Sequence, residues 1–274
     1  MSHINSSMTI RTFQKYIFSW WKLNKRDLPW RHTHDPYKIF ISEIMLQQTQ
    51  VERVIAKYHE FLSRFPRATI LAQAPLSGVL IAWKGLGYNR RALFARKAAV
   101  EIVKQYDGVF PRNPTQLMKL PGIGVYTSKA ICVFAYQMDL PLVDTNIRKI
   151  ITHFFYNDVI QNEKEIEKKA LELLPKGKSW EWHQALMDFG ALELPSLVPK
   201  TARGKGKIPF KDTNRFIRGK IIDVLREGSF PENELLVILS DLTKRDEETL
   251  VKNLQSLIKE GLVSIRNGKY GLGT

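Results

Sequence analysis

Cysteine is almost missing from this chain: among 274 residues Cys132 stands alone. That excludes an internal disulfide and any metal site or cluster held by several thiolates. Cys132 sits in the apolar run AICVFAY, where a thiol is expected to be a buried small hydrophobe. Long apolar runs are missing too, and none approaches the roughly eighteen residues a membrane-spanning helix needs. The opening residues, MSHINSSMTI, lack the basic start and apolar stretch of a signal peptide. Acidic residues are few beside the basic ones, 27 Asp and Glu against 42 Lys and Arg, giving a net charge of +15. Such a surplus favours a polyanionic partner, because each phosphate contact releases condensed counterions. Charge alone is equally compatible with an anionic membrane surface or a basic enzyme.

Strand-like alternation is absent before residue 200. Segments 8–23, 40–62, 68–81, 91–106, 125–138, 144–156, 163–174 and 179–192 carry apolar residues at three- and four-residue spacings and predict helices. The stretch 108–124, rich in proline and glycine, predicts a short helix and then a hairpin. After residue 198 the composition changes. Lys200 to Lys220 hold eight Lys or Arg and one Asp, which reads as a solvated basic linker over 199–214. Beyond it 215–226, 232–242 and 246–260 read as helices, and LVSIRNGKYGLG as a hairpin turning at Asn267-Gly268. Three helices and a β-hairpin is the order of a small winged-helix domain over 215–274.

The sharpest local feature is LPGIGVYTSKAI, residues 120–131. Leu120, Gly122, Ile123, Gly124 and Val125 form a turn directly before a helix N-terminus, where free N–H groups attract an anion such as a DNA phosphate. A tight helix–helix turn with a packing role is the competing account. Asp144 precedes a helical run and fits an N-cap; Glu43 lies between Ile41 and Ile44 in an apolar helix and could equally be an exposed residue on it.

The motifs DLPWR (27–31), DPYKIFISEIMLQQTQV (35–51), GLGYNRRA (85–92), LPGIGVYTSKA (120–130), VDTNIRK (143–149) and ALMDFGA (185–191) occur in one order. On these the chain resembles the helix-hairpin-helix (HhH-GPD) DNA glycosylases, closest to the MutY-like adenine glycosylases, over about two thirds of its length. The resemblance implies an all-α core of two helical subdomains with a cleft between them. One is 1–30 plus 137–198, carrying the catalytic aspartate; the other is a six-helix barrel, 31–136, with the hairpin.

The resemblance also distributes roles. Asp144 becomes the catalytic carboxylate, stabilising positive charge on the sugar, and Glu43 the acid that protonates the departing purine. Relatives that also cut the strand carry a lysine directly after the hairpin. Here Tyr126 stands in that place, and a phenol cannot form an imine, so simple hydrolysis is expected; Lys129 lies almost a full turn further on. Gln48, Thr49 and Tyr88 match the wedge that enters the base stack, while Trp30, Arg31 and Asp188 match the base pocket. The partner implied is double-stranded DNA containing a mismatch or lesion, with no membrane association, for a monomer in the cytoplasm or on the nucleoid.

Two departures stand out. Most such glycosylases follow the GA pair with four cysteines that ligate a [4Fe-4S] cluster; here the sequence is FGALELPSLVPK, so no cluster and no other cofactor is expected. The final sixty or so residues are also too few for the larger domain that reads 8-oxoguanine in those relatives. Adenine opposite guanine or 8-oxoguanine is the expected target. Thymine or uracil opposite guanine is the alternative, since RDLPWRHTHDPY and VDTN also resemble the mismatch thymine glycosylases. A non-catalytic DNA-binding protein is the further reading.

Overall fold

The computed structural model describes residues 8–197 and 209–274. The helices run in order α1 (Ile10–Asn24), α2 (Pro36–Leu46), α3 (Val51–Arg64), α4 (Ala68–Gln73), α5 (Leu76–Ala82), α6 (Arg90–Tyr106) and α7 (Pro114–Leu117). They continue with α8 (Val125–Tyr136), α9 (Thr145–Tyr156), α10 (Glu163–Glu172), α11 (Ser179–Leu192) and α12 (Leu194–Leu197). The tail follows as α13 (Asn214–Leu225), β1 (Phe230–Pro231), α14 (Glu232–Thr243), α15 (Glu247–Glu260), β2 (Val263–Arg266) and β3 (Lys269–Leu272).

Two stretches that read as single helices are broken. Residues 40–62 divide into α2 and α3 around a turn in which Gln48 takes a φ of 59°. Residues 68–81 divide into α4 and α5 at Pro75, which has no N–H to continue the helix and holds Ala74 extended. Apolar residues continue on both sides of each break, with Ile44, Met45 and Val54 buried around the first and Leu71 and Leu76 around the second, so periodicity does not mark it.

The described residues form two compact units, one falling within Met1–Phe40, Pro111–Lys119 and Ile123–Arg203, the other within Ile41–Phe110, Leu120–Gly122 and Gly204–Thr274. In the first unit α1, α9 and α11 pack through aromatic side chains. Phe13 meets Phe154, Phe155 and Trp182 at ring separations of 5.0–5.8 Å, and Tyr16 and Trp20 meet Phe189 edge-on. Helix α8, counted with the barrel from sequence, groups here instead: it buries Ile131, Cys132, Val133 and Phe134 and packs on α7 and α11. Residues 31–40 fall in this unit as well.

In the second unit the alanine-rich face of α6 (Ala92, Ala95, Ala98, Ala99) admits α4 and α5 at close range. The tail belongs to the same unit rather than standing apart. Its three helices close over Ile221, Leu239, Leu250 and Leu257. Its sheet is antiparallel in the order β1-β3-β2, with Val263 opposite Leu272 and Arg266 opposite Lys269. Asn267 and Gly268 turn the hairpin at φ 49° and 71°, the left-handed pair a two-residue turn requires. This is the element order of a winged helix. Arg226, which caps the end of α13, seats the tail by donating to the Leu80 carbonyl at 3.0 Å and to Asn89 Oδ1 at 2.9 Å. Most of the expected basic linker, 199–208, lies outside the described residues; its end forms a 3-10 turn at Phe210–Asp212.

Candidate active site

Asp144 is the N-cap of α9. Its Oδ1 accepts the Ile147 N–H at 2.7 Å, which points the carboxylate along the helix entrance. The side chain is half-buried. Burial pushes its pKa above the usual carboxylate value, although backbone N–H donors at the helix start pull the other way. Two contacts place this residue. His183 on α11 is buried and neutral, its pKa pushed down by desolvation to about 4, and its Nε2 accepts the Leu142 N–H at 2.9 Å. Its Nδ1 bonds the Ser179 carbonyl at 2.7 Å, so the imidazole ties the approach to Asp144 onto α11. Gly190 then lets α9 lie against α11: a Cβ there would stand 2.6 Å from the Cβ of Asn146.

Tyr126 is half-buried in the first turn of α8. Lys129, further along, is ion-paired to Glu167 at 3.1 Å, which engages its ammonium elsewhere. The hairpin before α8 divides its labour by side chain. Leu120 and Ile123 are buried anchors, whereas Gly122, Gly124 and Val125 are exposed. Gly122 takes a φ of 78°, and an added Cβ would meet Phe94 Cβ at 2.8 Å, so only glycine fits. Gly124 caps α8 with no side-chain acceptor, leaving first-turn N–H groups open to an anion.

Trp30 is buried in a 3-10 turn, Pro29–Arg31, beside a charge cluster. Asp188, with no exposed surface, accepts from Trp21 Nε1 at 2.9 Å, from the Arg26 N–H and Nε at 3.1 and 2.6 Å, and from both terminal nitrogens of Arg31 at 2.8 and 2.7 Å. Burial alone would raise its pKa, but the hydrogen bonds and charges of Arg31 and Arg26 hold it below the usual range. The structure thus employs Asp188 and Arg31 in clamping the 26–31 segment that carries Trp30, with the carboxylate closed off rather than presented to a purine edge.

Glu43 lies in the second unit, 8% exposed on α2 among Phe40, Ile41 and Ile44. Its burial in an apolar helix is what an acid catalyst requires. Gln48, Thr49 and Tyr88, expected from the sequence to form the wedge, lie in the same unit. Gln48 and Tyr88 both hold positive φ, 59° and 45°, uncommon for residues with a Cβ and costing about 1 kcal/mol each. The Tyr88 hydroxyl donates to Gln48 Oε1 at 3.0 Å, joining the two turns.

Arg91 holds them. Its terminal nitrogens donate to the carbonyls of Ile44, Met45 and Gln47 on one side and of Leu86 and Gly87 on the other, at 2.6–3.1 Å, and to Thr49 Oγ1 at 2.9 Å. Burial brings its pKa down to about 10. Thr49 therefore faces inward to this arginine, while Gln48 is exposed. Within the motif GLGYNRRA nothing local marks Arg91 off from its neighbour Arg90. A signal was present: Arg91, Ala95, Ala98 and Ile102 share one face of α6, and the other three are buried.

With this geometry in place the class is defined. Residues 41–176 match the model of the HhH-GPD superfamily base excision DNA repair proteins, and the chain belongs to that family. Among particular relatives, it is 35% identical over 93% of its length to the protein named adenine DNA glycosylase of Mycolicibacterium smegmatis, covering 94% of that protein. It is 32% identical over 69% of its length to the thymine/uracil-DNA glycosylase of Methanothermobacter thermautotrophicus, covering 88% of that protein. A solved thermostable thymine-DNA glycosylase superposes with a TM-score of 0.65 at 31% identity, over 70% of this chain and 89% of that one. The iron–sulfur cluster common in the family does not fit: the one cysteine is buried within α8, its thiol raised by burial to about 11.

Proposed function

We propose that the protein is a monofunctional DNA glycosylase that hydrolyses the N-glycosidic bond of adenine mispaired with guanine or 8-oxoguanine. The observation that carries the reading is Asp144: a half-buried carboxylate fixed at the start of α9, in a family whose chemistry is base excision. As the bond to the base breaks, positive charge grows on the deoxyribose, and an ionised carboxylate held in a low-dielectric setting stabilises it. Glu43 supplies the proton that turns adenine into a neutral leaving group, and water completes the hydrolysis. With Tyr126 in place of a lysine, an abasic site is left uncut. The hairpin amides hold a DNA phosphate, Gln48 and Tyr88 fill the space of the extruded base above the turn that Thr49 ties to Arg91, and no cofactor takes part. Mismatched double-stranded DNA is the partner, bound by a monomer. Adenine is favoured over thymine because the adenine-enzyme relative matches far more of this chain.

The test is base release from duplexes carrying A·8-oxoguanine, A·G, T·G or U·G, scored before and after alkali. Strand breaks that appear only after alkali, on the adenine duplexes, and that vanish with Asp144→Asn, are expected. Release from T·G and U·G alone would move the protein to repair of deaminated bases. Alkali-independent cutting would overturn the monofunctional assignment.

A further inference from the structure

The second unit contains a groove of about 1170 Å³ whose walls come from the wedge turns and from the tail. Gln48, Tyr88, Arg53 and Arg90 line one side; Phe210 and Arg215 line the other, and Gly122 of the hairpin lies at its edge. Six arginines reach this space, and half of them are already engaged. Arg91 serves backbone carbonyls, Arg218 pairs with Glu260 at 2.8 Å, and Arg226 pairs with Asp223. Arg53, Arg90 and Arg215 have no ion pair among the described residues.

Aromatic rings hold two of these three. The Arg215 guanidinium lies 3.5 Å over the Tyr88 ring and 5.4 Å from that of Phe210, while Arg90 lies 5.0 Å over Phe94. A guanidinium stacked by its face keeps its edge N–H groups free, and its rotamer is set before any ligand arrives. Arginines fixed on aromatic faces along a groove suit a phosphodiester backbone with unstacked bases. Arg215 is also the point where the tail touches the wedge directly.

We infer that this groove extends the DNA-binding surface from the wedge turns onto the tail, with Arg53, Arg90 and Arg215 holding phosphates of the strand beside the wedge and Arg215 making the tail part of that surface. The inference rests on the proposed function only for the identity of the partner as DNA.

The experiment is a titration of the full chain against a labelled A·G duplex, followed by fluorescence anisotropy at several salt concentrations. Arg215→Ala should lower the slope of log K against log salt by about one, the signature of one lost phosphate contact. Arg53→Ala combined with Arg215→Ala should lower it by about two. Lys252→Ala removes an exposed charge from α15 outside the groove and should leave the slope at the wild-type value. Thermal melting should fall only slightly with Arg215→Ala, which removes the stack on Tyr88 but leaves the Arg226 anchors of the tail in place. A wild-type slope for Arg215→Ala, or an equal drop for Lys252→Ala, overturns the site. Base release, measured in parallel, separates the two readings. A wild type that binds with the full slope and releases no base sinks the proposed function but not the groove, whereas normal release with an unaltered Arg215→Ala slope sinks the groove alone.

Discussion

Replacing Gly190 by alanine probes how tightly the helix bearing Asp144 is held. Two effects oppose each other. Alanine is the better helix former, and inside α11 it should stabilise by roughly 0.5–1 kcal/mol. Against that, the new methyl group would lie 2.6 Å from Asn146 Cβ and 3.3 Å from Ile150 Cδ1. Ordinary carbon contacts are about 3.5–4 Å, so α9 and α11 must part by about 1 Å. Asn146 Cβ is attached to helix backbone and cannot swing aside as a long side chain would. Overpacking of this kind costs about 1–3 kcal/mol, and a 2.6 Å clash with a Cβ fixed to helix backbone belongs in the upper half of that range, so the net loss is about 1–2.5 kcal/mol. The larger consequence is catalytic, since Asn146 is two residues from Asp144. A shift of about 1 Å in a reacting group lowers rates by as much as ~100-fold. Single-turnover base release with enzyme in excess reads the chemical step directly, and urea unfolding reads the stability. A variant as fast as wild type and more stable would refute the claim that α9–α11 contact positions Asp144.

Three further outcomes follow from the same geometry. Arg91→Ala leaves five carbonyls of the wedge turns without their donor; it should lose about 3 kcal/mol in urea unfolding. An unchanged midpoint would refute its organising role. Asp188→Asn leaves Arg26 and Arg31 facing no charge and should cost about 3–5 kcal/mol. Because the folded-state pKa of Asp188 is depressed, its stabilisation is complete above the unfolded carboxylate value and is lost as pH falls through the lower folded one. The variant's melting temperature should therefore approach the wild type's only in strong acid. For Asp144 the sign reverses. Its pKa is raised, so the ionised form that catalysis needs is given up sooner as pH falls. The single-turnover rate should decline on the acid side at a pH above the usual carboxylate value, and a rate still flat below that value would contradict the assignment.

What could be read from sequence was chemistry carried by neighbours in the chain. LPGIGVYT announces its turn because glycine, isoleucine and the helix start are adjacent, and VDTN announces an N-cap because the acceptor and its N–H are three residues apart. The break inside 40–62 was hidden. QQTQ contains no proline or glycine, and the left-handed Gln48 is imposed by Arg91 reaching across from another helix. The same distance hid the employment of Asp188: ALMDFGA shows an acid in an apolar helix, but not the two arginines more than 150 residues away that enclose it. The tail's order of elements was legible, its attachment to the wedge unit was not, since that depends on single side chains such as Arg226 and Arg215.

The places where local preference fails coincide with the wedge. Neither glutamine nor tyrosine favours positive φ, and an unconstrained turn would release that strain. Here both strained residues are bonded to each other and flanked by carbonyls gripped by one buried arginine. A scaffold with only packing to satisfy would have placed glycine at both positions, as it did at the neighbouring Gly85 and Gly87. Keeping an amide and a phenol there, at a conformational cost, makes sense if those side chains must meet a partner of fixed geometry, and a DNA stack opened by one base is such a partner.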